Sequence, residues 1–383
     1  LPIKNVEARP EDLLIVIKAK SKATADEALE QVDGLLVRRR SAAASTYRPR
    51  SLDAAVRQLP LANWVLISIP GRYAASVSRQ ALEAGKHVFL YSDNVSIEDE
   101  VNLKHFGREN GLLVMGPDCG TAIVNGVGFG FANRVRRGVI GLVGASGTGL
   151  QAISTAIHHL GQGVSHALGT GGRDLKHEVG AICAKQALDL LAHDPTTEVI
   201  VVVSKPPDPV VAASLLAAAK QTGKPTVINF IGYAAPTRQI DNLHFAQTLQ
   251  ESAERAVALI GKAGVATYPT DKSSGPPERK YLRGLFSGGT LALETTRGLV
   301  ALLGDVHTNL SGTGASLLED PLVSQGHTVL DLGEDVFTVG RLHPMIDNDL
   351  RMRRMKQEAE DPQVALLLLD VVLGEGAHAD PSS

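Results

Sequence analysis

The sequence contains few cysteines, few aromatic residues, little net charge and no long apolar run. Its 383 residues include two cysteines, Cys119 and Cys183, too few for a disulfide framework or a zinc site made of thiolates. Aromatic residues make up 4% and the formal net charge is -3, so we expect neither stacking platforms nor a basic surface for nucleic acid. No segment approaches the roughly 20 apolar residues that cross a bilayer. We therefore expect a cytoplasmic protein that binds neither nucleic acid nor membrane, and no metal-ligand spacing is present.

One pattern occurs twice in the chain: an apolar strand, a turn of small residues, and a helix. The strand Gly138–Val143 is followed by Gly144–Gly149, and much later Arg283–Phe286 is followed by Ser287–Thr290. Small residues at the start of a helix let an anion approach its free backbone N–H groups. The alternative is a tight packing turn. The anion interpretation assigns phosphate or carboxylate binding to Ser146, Gly147, Thr148, Gly149, Ser287, Gly288, Gly289 and Thr290.

A further glycine-rich loop, Gly169–Asp174, follows the next strand of the first repeat. It falls at the carboxyl end of a parallel strand, where open α/β sheets bind ligands. We expect Gly171 and Gly172 to lie against an anion and Arg173 to hold it with its guanidinium fork. Asp174 is predicted to cap the following helix.

The cluster Arg341–Asp347 supplies the candidate catalytic side chains of the last domain. Arg341 can bind carboxylate or phosphate, and His343 can transfer a proton near neutral pH. Asp347 can orient that histidine. The alternative is that Pro344 fixes a turn and Asp347 caps the helix that follows. The sequence leaves the two interpretations open.

The loop Gly116–Gly120 follows a predicted strand of the first domain. It contains Pro117, Asp118 and Cys119. The cysteine is either a nucleophile, for which the sequence assigns no histidine base, or a buried inert thiol, which is the commoner case.

Strands and helices alternate along the chain, which predicts an α/β protein with parallel sheets. We expect a Rossmann-like domain at residues 1–136, a second domain at 137–264, a linker at 265–280 and a third domain at 281–383. The Gly/Ser/Thr-rich insertion 305–325 is expected to be a mobile surface loop. No βα unit follows the last strand, so we expect the third domain to be incomplete and the sequence to be part of a longer protein.

These motifs resemble those of the succinyl-CoA synthetase superfamily and, within it, the FdrA family. Gly116–Gly120 is similar to the superfamily's Gly-Pro-Asn-Cys-Pro-Gly loop, which ends its CoA-binding domain. Gly141–Gly149 resembles its Gly-Ile-Val-Ser-Arg-Ser-Gly-Thr turn, and Gly169–Asp174 its Gly-Ile-Gly-Gly-Asp loop. The runs that are more specific to the FdrA family are Ser287–Leu291, Asp331–Gly333 and His343–Asp347.

The resemblance covers the chain from about Trp64 onward. It implies a Rossmann-like CoA-binding-type domain followed by two flavodoxin-like domains of the succinyl-CoA synthetase type, the last one truncated. It also places Pro117, Asp118 and Cys119 in a loop on the CoA side.

The chain departs from the superfamily at the phosphohistidine. In synthetases of this type a histidine in a Gly-His-Ala-Gly setting carries phosphate, and a glutamate holds its ring. His244 falls at the corresponding place but lacks the neighbouring glycines, and Ser204–Pro207 replaces the glutamate. We predict that His244 is not phosphorylated.

Several functions follow from the resemblance. FdrA relatives imply a component of oxamate carbamoyltransfer in allantoin and purine catabolism, which exchanges carbamoyl between oxalurate and phosphate. The alternatives are an ADP-forming acyl-CoA synthetase and a non-catalytic scaffold that binds CoA or an anion. The expected ligand is phosphate or carbamoyl phosphate, with CoA possible and no metal. A small anionic substrate, a homodimer and companion protein subunits are the expected partners.

Overall fold

A computed structural model describes residues 17–37, 49–233, 235–261, 279–339, 341–374, 377, 378 and 380. The chain divides into two compact units, residues 1–55 and 56–383. In the first unit, helix α1 (Lys22–Val37) begins where Ser21 Oγ accepts the Thr24 N–H at 3.3 Å, as the capping pattern predicts. Helix α2 (Leu52–Gln58) crosses the division. The β-branched run at 13–18 predicts a strand, which lies almost wholly outside the described residues, and the low-complexity run at 41–45 predicts a loop, which lies wholly outside them.

The second unit begins with a small parallel sheet of Rossmann-like type. Its strands follow the order β1-β2-β3, with one helix crossing over between each pair. Ser96 starts the second of these helices because its hydroxyl accepts the Asp99 N–H. The elements are β1 (Trp64–Ile67), α3 (Gly71–Glu83), β2 (His87–Leu90), α4 (Ile97–Glu109) and β3 (Val114–Met115).

An eight-stranded sheet forms the middle of the unit. In order of chain, its elements are β4 (Thr121–Val124), β5 (Val127–Gly130), β6 (Arg137–Ala145), α5 (Gly147–His159), β7 (Val164–Gly169), α6 (Ile182–His193), β8 (Val199–Ser204), α7 (Pro209–Gln221), β9 (Thr226–Phe230), β10 (Gln239–Ile240), β11 (Leu243–Phe245) and α8 (Leu249–Leu259).

The order of these strands is β10-β11-β9-β8-β6-β7-β4-β5. Its parallel part, β7-β6-β8-β9-β11, has the flavodoxin-like order 2-1-3-4-5. The hairpin β4–β5 comes from the segment before this module and extends the sheet at β7, antiparallel to it. The segment that leaves the first sheet thus completes the edge of the second.

The third sheet repeats the arrangement on a smaller scale, in the order β14-β13-β15-β12-β16. The insertion 305–325, expected to be a mobile loop, instead supplies the edge strand β14 and its neighbour β13, which pair in parallel with the sheet. That expectation was wrong. The elements are β12 (Tyr281–Phe286), α9 (Gly289–Leu303), β13 (Val306–Thr308), β14 (Ser316–Leu317), β15 (His327–Asp331), α10 (Asp335–Thr338), α11 (Asp349–Ala359) and β16 (Val364–Leu369).

One hydrophobic core runs through the second and third sheets. Strand β8 is buried on both faces, as its continuous apolar sequence predicts for a central parallel strand. One core cluster joins Ile153 of α5 to Ala292 and Leu293 of α9. The helices that start at the two glycine turns are therefore packed together, and their N-termini share one edge of the structure.

Candidate functional site

The two glycine turns are in direct contact. Ser146 Oγ lies 2.6 Å from Thr290 Oγ1, and both side chains are buried. Ser146 Oγ also accepts the Gly149 N–H at 3.0 Å and so caps α5. A methyl group on Gly288 would lie 2.5 Å from Thr148 Cγ2, so a side chain there is excluded. The contact leaves no gap for an anion between the two hydroxyl groups themselves.

The first N–H groups of the second turn bind a carboxylate of the protein itself. Asp370 Oδ1 accepts from the backbone and the hydroxyl of Ser287 at 2.8 and 2.9 Å, and Oδ2 accepts from Gly288 N–H at 2.8 Å. Arg351 donates to the same carboxylate at 3.2 Å. Ser287 and Gly288 were predicted to bind an external anion. This prediction is wrong in the structure, because the buried side chain at the end of β16 already satisfies their N–H groups.

The next residue, Gly289, begins α9 and lies beside two charged side chains from different modules. A Cβ atom on Gly289 would lie 2.2 Å from Asp331 Oδ2 and 2.9 Å from Lys205 Nζ. Lys205 follows strand β8, and Asp331 ends strand β15. The carboxyl ends of two sheets therefore place an ammonium and a carboxylate next to the same helix N-terminus.

Asp331 is held rigidly. Its Oδ1 accepts the Gly333 N–H at 2.9 Å, and its backbone exchanges two hydrogen bonds of 2.9 Å with the Asn309 side chain. The side chain is 3% exposed. Burial raises the pKa of Asp331 to about 6, although Lys205 and the Gly333 N–H act in the opposite direction. The carboxyl group can therefore exchange a proton near neutral pH.

His343 lies on the other side of Gly333. A Cβ on Gly333 would lie 2.7 Å from His343 Nε2, and Nδ1 of the ring accepts the Met345 N–H at 3.3 Å. In the neutral ring the proton is therefore assigned to Nε2. Burial lowers the pKa of His343, with Asp370 and Asp93 partly opposing that effect. The structure thus brings His343 close to Asp331, as a neutral donor at pH 7.

Arg341 and Asp347, the other two candidate catalytic residues of the segment Arg341–Asp347, do not contact the side chains of His343 and Asp331. Asp347 Oδ1 accepts the Asp349 N–H at 3.0 Å, at the start of α11, while the ring of His343 bonds to Met345 instead. Asp347 therefore forms no hydrogen bond to the His343 ring, and because the N-cap of α11 is Asn348, without a side-chain cap, the capping alternative stays a prediction. Arg341 is exposed, with the Asp349 carboxylate as an electrostatic neighbour. Its role in holding an anion stays a prediction.

The loop Gly116–Gly120 packs against the loop that follows β7. Gly171 has φ of +84°, and a Cβ there would lie 2.4 Å from the Pro117 carbonyl oxygen. Gly171 therefore serves close packing of two backbones. Gly172 is exposed beside Asp118, since a Cβ there would lie 3.9 Å from Asp118 Oδ2. Its part in binding an anion stays a prediction.

The two side chains at the centre of this loop differ in character. Crowding by protein atoms raises the pKa of Asp118 to about 6, with Asp93 adding to the effect and Lys205 opposing it, although part of the residue surface is open to solvent. Asp118 thus faces the same cluster as Lys205. Burial raises the pKa of Cys119 to about 12. The thiol stays protonated, so of the two interpretations of Cys119 the structure supports the inert one.

A buried ionic cluster connects the first sheet's helix α4 to the loop after β7. Lys104 Nζ lies 2.8 Å from both Glu100 Oε1 and Asp174 Oδ1, and 3.0 Å from the Thr170 carbonyl oxygen. Burial lowers the pKa of Lys104, but the carboxylates of Asp174 and Glu100 outweigh it and the net shift is upward. Lys104 therefore stays charged inside the protein.

Asp174 and Arg173 both belong to this cluster. The Asp174 carboxylate accepts the N–H groups of Cys183 and Ala184 at 3.2 and 2.9 Å, so the predicted cap of the following helix is confirmed. Arg173 Nε lies 2.9 Å from Glu100 Oε2, an ion pair without hydrogen-bond alignment, and Nη2 donates to the Val95 carbonyl at 2.8 Å. Much of its guanidinium fork is thus bound to the protein. Its binding of a ligand stays a prediction.

Sequence reasoning missed three residues of the site: Lys205, Asp331 and Asp370. Lys205 stands in the run that replaces the superfamily glutamate, and Asp331 ends a strand of the repeat. Both positions are strand ends, which is the signal that could have found them. Asp370 also follows a strand, β16, but nothing local indicates its partners Ser287 and Gly288, which lie 83 and 82 positions away in the sequence.

Within the described ranges, no group of three or more His, Cys, Asp or Glu side chains is arranged to hold a metal ion. In the same part of the chain, no helix combines the length and apolar character needed to cross a membrane.

Comparison with protein families identifies two regions. Residues 285–383 match the CoA-ligase family, and residues 136–232 match the CoA binding domain. The CoA-binding match falls on the second module, whereas sequence analysis placed the CoA-binding-type domain at 1–136. The domain boundaries and the CoA role of the first domain stay predictions.

Among known proteins, the chain is 42% identical over 384 residues to the uncharacterized protein YahF of Escherichia coli (strain K12), covering 98% of this chain and 75% of YahF. It is 27% identical over 181 residues to the alpha subunit of the ADP-forming succinate–CoA ligase of Aquifex aeolicus, covering 46% of this chain and 58% of that subunit.

Among solved structures, the chain is similar to the dinucleotide-forming acetyl-coenzyme A synthetase 1 of Ca. Korarchaeum cryptofilum. The TM-score is 0.42 at 18% identity, with 63% of this chain and 55% of that one covered.

The chain therefore belongs to the succinyl-CoA synthetase-like superfamily, with CoA-binding and CoA-ligase domains. Within it, the chain belongs to the same family as YahF, which fits the FdrA-like assignment made from the sequence. The predicted fold class is confirmed. The chain spans little more than half of the ligase subunit and of the synthetase.

Proposed function

We propose that this protein is an acyl-CoA synthetase-like ligase in which the reacting phosphate lies at the start of α9, beside Lys205, Asp331 and His343. The observation that carries the proposal is the 2.6 Å contact between Ser146 Oγ and Thr290 Oγ1, because it brings two helix N-termini to one place. Helix N-termini stabilise anions, and Lys205 adds a full positive charge at the same point.

The chemistry is transfer of an acyl group between a thiol and phosphate. A phosphate oxygen attacks the carbonyl carbon of an acyl-CoA, a C–O bond forms and the C–S bond breaks. The proton of hydrogen phosphate passes to the leaving thiolate, which gives acyl phosphate and CoA. Negative charge that develops on the carbonyl oxygen would be stabilised by the backbone donors of α9, by Lys205 and by Nε2–H of His343.

CoA fits the arrangement of the first sheet. The loops that follow β2 and β3 lie at the carboxyl edge of that sheet and carry Asp93 and Asp118, and Asp93 influences both His343 and Asp118 electrostatically. Ligands of open α/β sheets bind at this edge. Bound there, CoA would supply the thiol, and the loop with Pro117 and Asp118 would lie beside it.

A second function, oxamate carbamoyltransfer, is favoured by one observation. His244 lies inside strand β11, where burial lowers its pKa and Arg255 adds to the effect. A histidine fixed in a strand is poorly suited to carry phosphate between sites. Phosphate would then attack the carbamoyl carbon of oxalurate directly. The C–N bond breaks, the phosphate proton passes to the leaving nitrogen, and carbamoyl phosphate and oxamate form.

The experiment that tests the proposal compares two reactions of the full chain, alone and with its partner proteins. The first provides acyl-CoA, phosphate and ADP and measures thiol release. The second provides oxalurate and phosphate and measures carbamoyl phosphate. Lys205→Met should lower transfer by about a hundredfold or more, whereas Lys220→Met, an exposed lysine paired with Asp241, should leave it unchanged.

Each outcome decides between the candidates. Thiol release that requires phosphate and is accompanied by ATP formation from ADP establishes the ligase, and carbamoyl phosphate formation establishes the carbamoyltransferase. Anion or CoA binding without either turnover would establish the scaffold and refute both. Incubation with ATP or acyl phosphate should leave no acid-labile label, and a label that disappears in His244→Asn would restore the phosphohistidine mechanism.

A further inference from the structure

Two opposite charges lie beside the start of α9 without forming a close ion pair. Lys205 Nζ and Asp331 Oδ2 both lie within 3 Å of the point where a Cβ on Gly289 would be, at 2.9 and 2.2 Å. The ion pair found for Lys205 in the described part of the chain is a long one, 3.9 Å, to the half-exposed Glu334. The ammonium and the buried carboxylate thus approach the same glycine from two modules without a close contact with each other.

Lys205 and Asp331 require opposite hydrogen-bonding groups on a ligand that contacts both of them. The Lys205 ammonium and the N–H groups of the first turn of α9 only donate hydrogen bonds, so they require oxygen acceptors. Ionised Asp331 only accepts, so its Oδ2 requires a donor. One small group that offers both, side by side, is an oxyanion that still carries a hydroxyl proton. Hydrogen phosphate has this character near neutral pH, whereas sulfate carries no proton.

We propose that Lys205 and Asp331 make the start of α9 a site that selects hydrogen phosphate over sulfate. Lys205 and the α9 N–H groups bind the charged oxygens, and Asp331 Oδ2 accepts the P–OH proton. The inference rests on the proposed function only in naming phosphate as the ligand of this site.

The surroundings of Asp331 support this selection. Its Oδ1 is bound by Gly333 and its backbone is fixed by Asn309, so Oδ2 stays directed toward Gly289 at the start of α9. A fully deprotonated anion would place a negative oxygen against a buried carboxylate, with Asp370 and Glu334 nearby. A site that hydrogen-bonds one hydroxyl rejects analogues that lack it, because its buried group is left unpaired. The pKa of Asp331, raised to about 6, leaves it ionised at pH 8 and a good proton acceptor.

The test is isothermal titration calorimetry of the full chain at pH 8 with potassium phosphate and potassium sulfate at equal ionic strength. Wild type should bind phosphate about a hundredfold or more tightly than sulfate. Asp331→Asn, which can donate to either anion, should bring the two affinities to within a few-fold of each other. Lys205→Gln should weaken the binding of both anions by a similar factor and keep the ratio of the two affinities, because it removes a positive charge and leaves the acceptor Asp331 in place.

The outcomes separate this inference from the proposed function. Equal binding of the two anions by wild type, binding of neither, or an unchanged ratio in Asp331→Asn would overturn it. Asp305→Asn, at an exposed carboxylate near the same module, is the matched control and should behave as wild type. If Asp331→Asn does not fold, the wild-type ratio and Lys205→Gln still decide. Phosphate selectivity without turnover would refute the ligase and carbamoyltransferase functions alone, and turnover without selectivity would refute this inference alone.

Discussion

Lys104 Nζ lies 2.8 Å from Asp174 Oδ1 in the interior, and the two residues are 70 positions apart in the sequence. Lys104 belongs to helix α4 and Asp174 to the loop that follows β7. The same carboxylate caps helix α6, so one ion pair fixes a helix of the first sheet, a loop of the second and the start of another helix.

Lys104→Met should therefore destabilise the protein strongly. Removing one partner leaves Glu100 and Asp174 as buried charges without their main counter-ion, a loss of about 3–5 kcal/mol in the free energy of unfolding. Urea unfolding followed by circular dichroism measures it. Lys220→Met removes an exposed lysine of an ion pair and should cost about 1 kcal/mol or less. A loss for Lys104→Met no larger than that of the control would contradict the role of the buried cluster.

Asp331→Asn should stabilise the protein, most at high pH. Burial raises the pKa of Asp331 from its ordinary value of 3.8 to about 6 in the fold. When folding raises the pKa of a carboxyl group, the stability that is present below the pKa of the unfolded state is lost as the pH rises through the pKa of the folded state. The neutral amide avoids that loss, so the variant should gain about 2–3 kcal/mol at pH 8 and about half of that at pH 5.

Urea unfolding at both pH values checks this, with Asp305→Asn as an exposed control that should show no gain. A gain that stays constant between pH 5 and pH 8 would mean that the ionised carboxylate is not the source. Stabilisation combined with lost phosphate binding would mark Asp331 as a residue kept for function at the expense of stability.

Cys119 and Cys183 should resist alkylation in the folded protein. Burial raises the pKa of both thiols, that of Cys119 to about 12, so almost no thiolate exists at pH 8. Mass spectrometry after iodoacetamide should find neither cysteine modified in the native protein and both modified in urea. Rapid labelling of native Cys119 would restore its candidacy as a nucleophile.

The contact between Ser146 and Thr290 should show measurable coupling. Ser146→Ala removes the cap of α5 and the contact, whereas Thr290→Val removes the hydroxyl contact with little change of shape. A double-mutant cycle of unfolding free energies should give about 0.5–1.5 kcal/mol of interaction energy. The buried hydroxyl pair Ser165 and Thr197, at 2.7 Å inside the second module, provides a comparison. Strictly additive effects would mean that the two turns do not depend on each other.

The sequence predicts what depends on neighbours along the chain. Strand, glycine turn and helix follow each other at both repeats, and Asp174 caps the next helix as predicted. Prediction from the sequence fails where segments that are distant along the chain come into contact. Asp370 binds Ser287 across 83 positions, and Lys205 comes to Gly289 from another module, so no local pattern reveals either. Strands β13 and β14 were missed because a Gly/Ser/Thr-rich segment lacks the alternation of an ordinary strand.

The hairpin β4–β5 makes the second module dependent on residues that precede it. A recombinant fragment that begins at residue 137 would lack this hairpin and present β7 as an open edge, with unpaired N–H and C=O groups available to other chains. Such a fragment should form aggregates on concentration. The smallest unit of this protein that can be excised, crystallised or grafted into a relative therefore begins before Thr121, because recombination at residue 137 would remove the strands that cover the edge of the second sheet.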